Sequence, residues 1–492
     1  MRTGRISLVC ACALALAGLA STARSAAAQP LRTAIYLDAE TEAAPGQRAL
    51  FDRVRRTGAT VIRITIDWRA VAPSSRPEQW EPANPADPHY RWGTYDAAIR
   101  NAVAHGFEPL VTILQAPDWA QPFAPGPPVS FRPDPVAFGQ FATAAATRYS
   151  GRFEGLPRVR WWQAWNEPNI SLYLQPQLVN RQPVAPRLYR RMLNEFAAAV
   201  RSVNPDNIVV AGGLAPFHDV HSSIQDQDPD WGPLSFMRAL LCVSKDLRPT
   251  CDDGTSFDVW ATHPYTSGGP LHHAVLENDV SLGDLPEMRQ TLDAAVKAGH
   301  VDSRMPVQFW VTEFSWDSKP PDPCGVPLSL LAHWVPEALY RMWANGISLV
   351  VWFLLEDQPL SNFYQSGVFF RPAAGAAVRP KPFLEGLRFP FVALRRGRGV
   401  YVWMRTPAGK PARLIVEQRK RRAWKKVAAL TSTSEGIAQK VLRAKPVGSF
   451  RARMFPTNER SLPFSMVVPR DHFYNPFGLT EPLEPGSTPN CR

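Results

Sequence analysis

The sequence contains no Gly-x-Ser-x-Gly elbow, no Gly-x-x-x-x-Gly-Lys-[Ser/Thr] loop and no His-Glu-x-x-His pair. The first absence removes the usual strand-to-helix serine nucleophile, the second nucleotide hydrolysis on a phosphate-cradling loop, and the third the common helix-borne zinc site. Cysteine is scarce, six in 492 residues, and its spacing fits no zinc pattern. Beyond the opening segment no apolar run reaches the roughly 18 residues that a spanning helix needs, so no transmembrane span is predicted. No internal repeat is visible.

What is present is enough apolar material for a large core. The chain is 45% hydrophobic and carries sixteen tryptophans, and its length suits more than one domain. Most of those indoles are expected in the core, but a flat apolar face with a polar edge also suits a sugar ring. The first 28 residues have the three parts of a secretory signal: Arg2 and Arg5, an apolar run from Ile6 to Ala20, and a small-residue stretch ending Ala-Ala-Ala before Gln29. Cys10 and Cys12 lie too early in it for a lipoprotein signal. Removing residues 1–28 lowers the net charge from +12 to +9 and leaves four cysteines. In an exported, extracellular protein an even count favours disulfides, with Cys242 to Cys251 closing a small loop and Cys324 to Cys491 as the remaining pair.

Along residues 29–394, strand-like apolar runs alternate with helical patterns. The predicted strands are Leu31–Leu37, Thr60–Trp68, Pro109–Leu114, Arg160–Trp165, Ile208–Gly212, Phe257–Thr262, Val307–Thr312 and Ile347–Leu354. Eight strands, most followed by a helix and several apolar throughout, predict an α/β fold of the (β/α)8 TIM-barrel type. An open doubly wound sheet is disfavoured because no Gly-rich phosphate loop follows the first strand. Residues 379–394 read as a short helical or Pro-punctuated link. From 395 to 470 the runs VYVWM, ARLIVEQ, WKKVAAL, SFRARMF and FSMVVP predict a small C-terminal antiparallel β-sandwich, followed by an extended tail over 471–492.

Two carboxylates stand out. WWQAWNEPN (161–169) puts Glu167 just past the fourth strand, where a barrel carries its chemistry. Pro168 disfavours helix for the residue before it, predicting an extended or turn conformation for Glu167, and an apolar wall such as Trp165 raises a carboxyl pKa, as a general acid requires. VQFWVTEFSW (307–316) puts Glu313 at the end of the seventh strand, three barrel units later. Retaining glycosidases hold two carboxyls about 5 Å apart, one to protonate the leaving oxygen and one to attack the anomeric carbon. Either glutamate alone could be a loop or salt-bridging residue; the shared register argues for the pair.

The NEP and TEF motifs resemble the catalytic pair of the glycoside hydrolase superfamily called clan A, with details closest to its family 39 and family 5 branches, over roughly residues 30–370. The resemblance implies Glu167 as acid/base, Glu313 as nucleophile, Asn166 as a partner of the sugar 2-hydroxyl, and Arg63 in the second strand as the residue that orients the nucleophile. It implies His263 and Tyr265 (THPYT) near nucleophile or substrate, Trp352 as the floor of the subsite, and an equatorial, β-type linkage. Many family 5 members have a His after strand three; here TILQAPDWA puts Gln115 and Trp119 in that region as candidate substrate-binding residues. Asp67, Asp118, Asp317, Glu356 and Asp357 also lie near strand ends, either as ligands of sugar hydroxyls or as ordinary loop acids, the latter being the favoured reading.

The reading is therefore a retaining glycosidase on a polysaccharide, oligosaccharide or glycoside, with no metal and no cofactor. A transglycosylase using the same carboxylates, or a carbohydrate-binding envelope protein on a decayed barrel, are the alternatives; the presence of both glutamates argues against the latter. The densest basic run, EQRKRRAWKK (417–426), suits electrostatic contact with an acidic glycan or envelope surface, or is a solvated strand edge protected by lysine. Nucleic acid is not expected as a partner.

Overall fold

The computed structural model describes residues 30–44, 47–180, 182–218, 231–362, 364–470 and 472–473. The predicted signal over 1–28 and Cys491 lie outside the described residues, as does nearly all of the tail. Eight parallel strands close a barrel in chain order: β1 (Arg32–Tyr36), β2 (Val61–Asp67), β3 (Glu108–Leu114), β4 (Trp161–Ala164), β5 (Ile208–Leu214), β6 (Val259–Thr262), β7 (Gln308–Phe314) and β8 (Ile347–Trp352). β8 returns to β1 with Arg32 opposite Leu349 and Ile35 opposite Trp352. The expected TIM barrel is the observed fold.

The helices between strands start and stop on local signals. The α3 helix (Pro135–Arg148) begins with Asp134 accepting from the Val136 and Ala137 amides and with Pro135 in its first turn, where no N–H is needed. The α4 (Ala185–Val203) and α5 (Pro233–Leu241) helices also carry a first-turn proline, and α6 (Leu285–Ala298) ends on left-handed Gly299. The preceding helices are α1 (Arg48–Arg56) and α2 (Gly93–Ala104), and the last of the barrel is α7 (Leu328–Ala344).

The barrel interior changes character along its axis. Val61, Leu110, Trp161 and Trp310 belong to a separate buried cluster inside the strands, and the Trp161 and Trp310 rings meet at 5.1 Å. Side chains repeat every second residue along a strand, so the next inward layer toward the strands' C-terminal ends is Arg63, Thr112, Gln163 and Thr312. All four are buried. An apolar plug thus supports a polar floor at the end where the chemistry is expected.

After β8 the chain forms two antiparallel sheets. One contains β9 (Phe391–Arg396), β10 (Gly399–Arg405) and β13 (Ile437–Leu442). The other contains β12 (Ala423–Thr431), β11 (Arg413–Lys420), β14 (Ser449–Phe455) and β15 (Phe464–Ser465). The predicted link holds a short helix, Leu384–Arg388, and the first sheet strand starts at Phe391. The sandwich sits on α7: Trp403 packs on Tyr340 and Trp343 at 5.6 and 5.5 Å, and Phe464 stacks on His333 at 4.0 Å. Arg405, fully buried, donates Nε to the Leu31 carbonyl at 2.6 Å just before β1. Of the predicted disulfides, Cys242–Cys251 is formed, with Cα atoms 5.1 Å apart.

Candidate active site

Six of the predicted site residues meet at the C-terminal mouth of the barrel. Arg63 donates through Nη1 to Glu313 Oε1 and to the Thr312 carbonyl, through Nη2 to Asn166 Oδ1 at 3.0 Å, and through Nε to Thr112 at 3.0 Å. At 1% exposure it is a buried cation with every arm engaged. Tyr265 donates its hydroxyl to Glu313 Oε2 at 3.2 Å. His263 bridges the two acids: Nδ1 lies 2.8 Å from Glu167 Oε1 and 3.9 Å from Glu313 Oε2, while Nε2 meets Thr312 Oγ1 at 3.0 Å. A carboxylate oxygen of each glutamate and a ring nitrogen of His263 lie within 4.8 Å of one another.

The two carboxyls have opposite electrostatics. Burial is the largest influence on both and pushes each toward the neutral form. For Glu167 burial wins, helped by the negative charge of Glu313, and its pKa is raised despite the hydrogen bond and charge of His263. For Glu313 burial is outweighed by the charges of His263 and Arg63 and by the hydrogen bonds from Arg63 and Tyr265, so its pKa is lowered. Burial raises the Tyr265 phenol well above its ordinary value, which keeps it a donor.

The backbone under these groups is strained. Trp165 has φ 69° and Glu167 φ 43°, the left-handed region that costs a residue with a side chain about 1–2 kcal/mol. The Trp165 amide donates to Ile113 O at 2.9 Å and the Glu167 amide to Gly213 O at 3.0 Å, which pins both. Asn169 ties the loop to the next strand through paired bonds with Ala215. Gly213 (φ 63°) makes room: a Cβ there would stand 2.5 Å from Gln163 Nε2 and 3.4 Å from His263 Nε2. At the seventh strand the sequence boundary needs correction. The strand continues through Phe314, with a register shift against β8 between Val311 and Phe314, so Glu313 lies within an irregular strand end.

The other candidates are placed differently. Trp352 is 1% exposed; its indole donates to Ser366 O at 2.9 Å, and its ring packs on Phe314 and Phe383. Gln115 has φ 65° at the end of β3, with a buried Oε1 that has no hydrogen-bond partner among the described residues. Trp119 stands on the flank, donating to Pro73 O at 2.8 Å and meeting Trp68 and Trp80 edge-on. It lines a cleft of about 610 Å³ whose other walls include Gln121, Arg132 and Arg191. The loop acids have structural partners: Asp67 caps Ala70, Asp118 pairs with Arg69, Asp317 accepts from Gln365, Glu356 faces Arg53, and Asp357 holds Lys381.

Thr112 and Thr312 were not singled out by sequence, although a polar residue inside an apolar strand at inward register was the available signal. Tyr36 and Tyr173 were missed too. Tyr36 has its ring centroid 5.8 Å from the Arg63 guanidinium, and half-buried Tyr173 lies in the field of both glutamates. Glu167, His263 and Glu313 also form a possible cation-ligand set, but both His263 nitrogens are engaged and the Arg63 guanidinium already neutralises Glu313, so these donors fit a proton-handling site better than a metal.

No protein-family model matches the chain, and no curated protein matches it. Solved structures do. A family 39 glycoside hydrolase from the gut symbiont Bacteroides cellulosilyticus WH2 aligns with a TM-score of 0.48 at 16% identity, over 84% of this chain and 79% of that one. The GH39 enzyme from Xanthomonas axonopodis pv. citri aligns with 0.48 at 15% identity, over 85% and 93%. A glucosidase from Croceicoccus marinus aligns with 0.44 at 14%, over 84% and 93%.

Proposed function

We propose that the protein is a retaining glycoside hydrolase that cleaves an O-glycosidic bond, of β type as the resemblance to clan A implies, in a glycan or glycoside. One observation carries this reading: two glutamates with an oxygen of each within 4.8 Å of the other, one with its pKa raised and the other with its pKa lowered. That approach is nearer the roughly 5 Å spacing of retaining enzymes than the roughly 6.5–9.5 Å of inverting ones, which supports retention. Glu313, ionised, attacks the anomeric carbon as Glu167 gives its proton to the leaving oxygen. The bond between anomeric carbon and leaving oxygen breaks, and a glycosyl ester on Glu313 remains. Glu167, now a carboxylate, takes a proton from water as that water's oxygen attacks the same carbon and releases Glu313. Asn166, whose Oδ1 is committed to Arg63, keeps its amide NH2 for a sugar hydroxyl.

We also read the protein as exported, on the strength of the opening signal-like segment. The catalytic proposal is tested by Glu313→Gln and Glu167→Gln on an activated aryl glycoside. Glu313→Gln abolishes turnover, and azide restores Glu313→Gly with a glycosyl azide of inverted configuration. Full activity in both Gln variants overturns the assignment.

A further inference from the structure

The hairpin of β11 and β12 ends in a turn, Arg421–Arg422, and carries the exposed cations Arg419, Lys420, Arg421, Arg422, Lys425 and Lys426. None of the six forms an ion pair within the described residues. The acid on this hairpin, Glu417, is already held by Arg451 and Arg453. Such a concentration costs self-repulsion that no ion pair among the described residues offsets.

A second feature shares this end of the sandwich. Gln418 Nε2 donates to the carbonyls of Lys445 and Val447, both at 3.0 Å, and the Met466 amide donates to Gly448 O at 2.8 Å. A Cβ on Gly448 would lie 3.4 Å from Arg419 O. The loops at 443–448 and 466–468 therefore flank the basic turn. They expose Val447, Val467 and Val468, at 58, 73 and 84%. Three aliphatic side chains in water around a cationic tip are unfavourable for an isolated domain.

We propose that this end of the sandwich docks on an anionic lipid surface, with the hairpin cations at the phosphates and the valines inserted among the acyl chains. The valines separate this partner from an acidic glycan. A hydrated polyanion satisfies the cations and gains nothing from aliphatic insertion, and the ring that could stack on sugar here, Trp424, is covered by the Arg451 guanidinium at 4.2 Å. A bilayer takes both features at once. The inference is independent of the catalytic reading.

The test is flotation of the full chain with phosphatidylcholine vesicles, with and without phosphatidylglycerol. Binding should require phosphatidylglycerol and weaken with salt. Each cation near such a surface strengthens binding about fivefold, so Arg421→Ala with Arg422→Ala should weaken it about 25-fold. Val467→Ser with Val468→Ser should weaken it at unchanged charge. Unaltered melting temperatures show that the variants fold, as expected for exposed side chains. The proposal is overturned if vesicle binding is absent or indifferent to phosphatidylglycerol, if the valine variant binds as well as the parent, or if the chain binds polygalacturonate in preference to the vesicles.

Discussion

Replacing Arg63 with methionine tests the electrostatics of the site most directly. The guanidinium is buried and donates to Glu313, so the change removes a charge-assisted hydrogen bond and leaves burial to act on that carboxyl unopposed by Arg63. Such a bond is worth about 1.5–3 kcal/mol, and one pKa unit corresponds to about 1.4 kcal/mol. The pKa of Glu313 should therefore rise, and the lost bond corresponds to a displacement of about 1–2 pH units in a profile this group governs. The nucleophile works as a carboxylate, so the acid limb of the kcat/KM profile should move to higher pH by the same amount. An aryl glycoside with a good leaving group isolates this limb, because it needs little help from Glu167. Stability supplies an independent readout. A lowered folded pKa stabilises the parent above the ordinary carboxylate range, and that stability is lost as pH falls through the folded value. If the variant's pKa passes above the ordinary value, the sign reverses, and this group costs stability as pH rises. An acid limb that stays in place in a folded Arg63→Met protein refutes the reasoning.

Glu167→Gln should remove the basic limb of the profile and lose far more activity on poor leaving groups than on activated ones, as a comparison of two aryl glycosides will show. Gly213→Ala should lower stability by about 2–3 kcal/mol, through a left-handed φ and a side-chain clash with Gln163, read as a drop in Tm, and should depress kcat by shifting His263. Reducing Cys242–Cys251, which closes a loop with a sequence separation of 9, should cost about 2–3 kcal/mol by the chain-entropy relation, measurable as a lower denaturation midpoint in dithiothreitol.

Much of the barrel was legible because a buried parallel strand has little choice of composition. Runs such as PLVTIL are apolar at nearly every position, in TVIRITIDW the polar residues Arg63, Thr65 and Asp67 alternate on one face, and the spacing of such runs set the order of elements. The glutamate pair was legible because both acids end such runs. Other features depend on geometry that one-dimensional patterns do not carry. Pro168 argued against helix at Glu167, but its φ of 43° follows from the Glu167 amide reaching Gly213 O on the neighbouring strand. The extension of β7 past Glu313 depends on a register shift against β8. Trp119 and Trp352 were placed near substrate by motif position. The structure turns Trp119 toward Trp68 and Trp80 and packs Trp352 between Phe314 and Phe383, because an indole takes its surroundings from whichever elements converge on it. The strand IAQKVL (437–442) escaped notice since its alternation is interrupted by exposed Lys440 and Val441.

The bond from Arg405 to the Leu31 carbonyl joins residues 374 apart, and it bears on the order in which the molecule can be made. β1 has one neighbour early, β2, but its other edge waits for β8, and its entry waits longer still for β10. At about 5–20 residues per second of synthesis, the first strand stays open on one edge for roughly 16–63 s. The barrel cannot be sealed on the ribosome until the last barrel strand, Ile347–Trp352, has emerged, and the Arg405 bond later still, so the finished fold must form late.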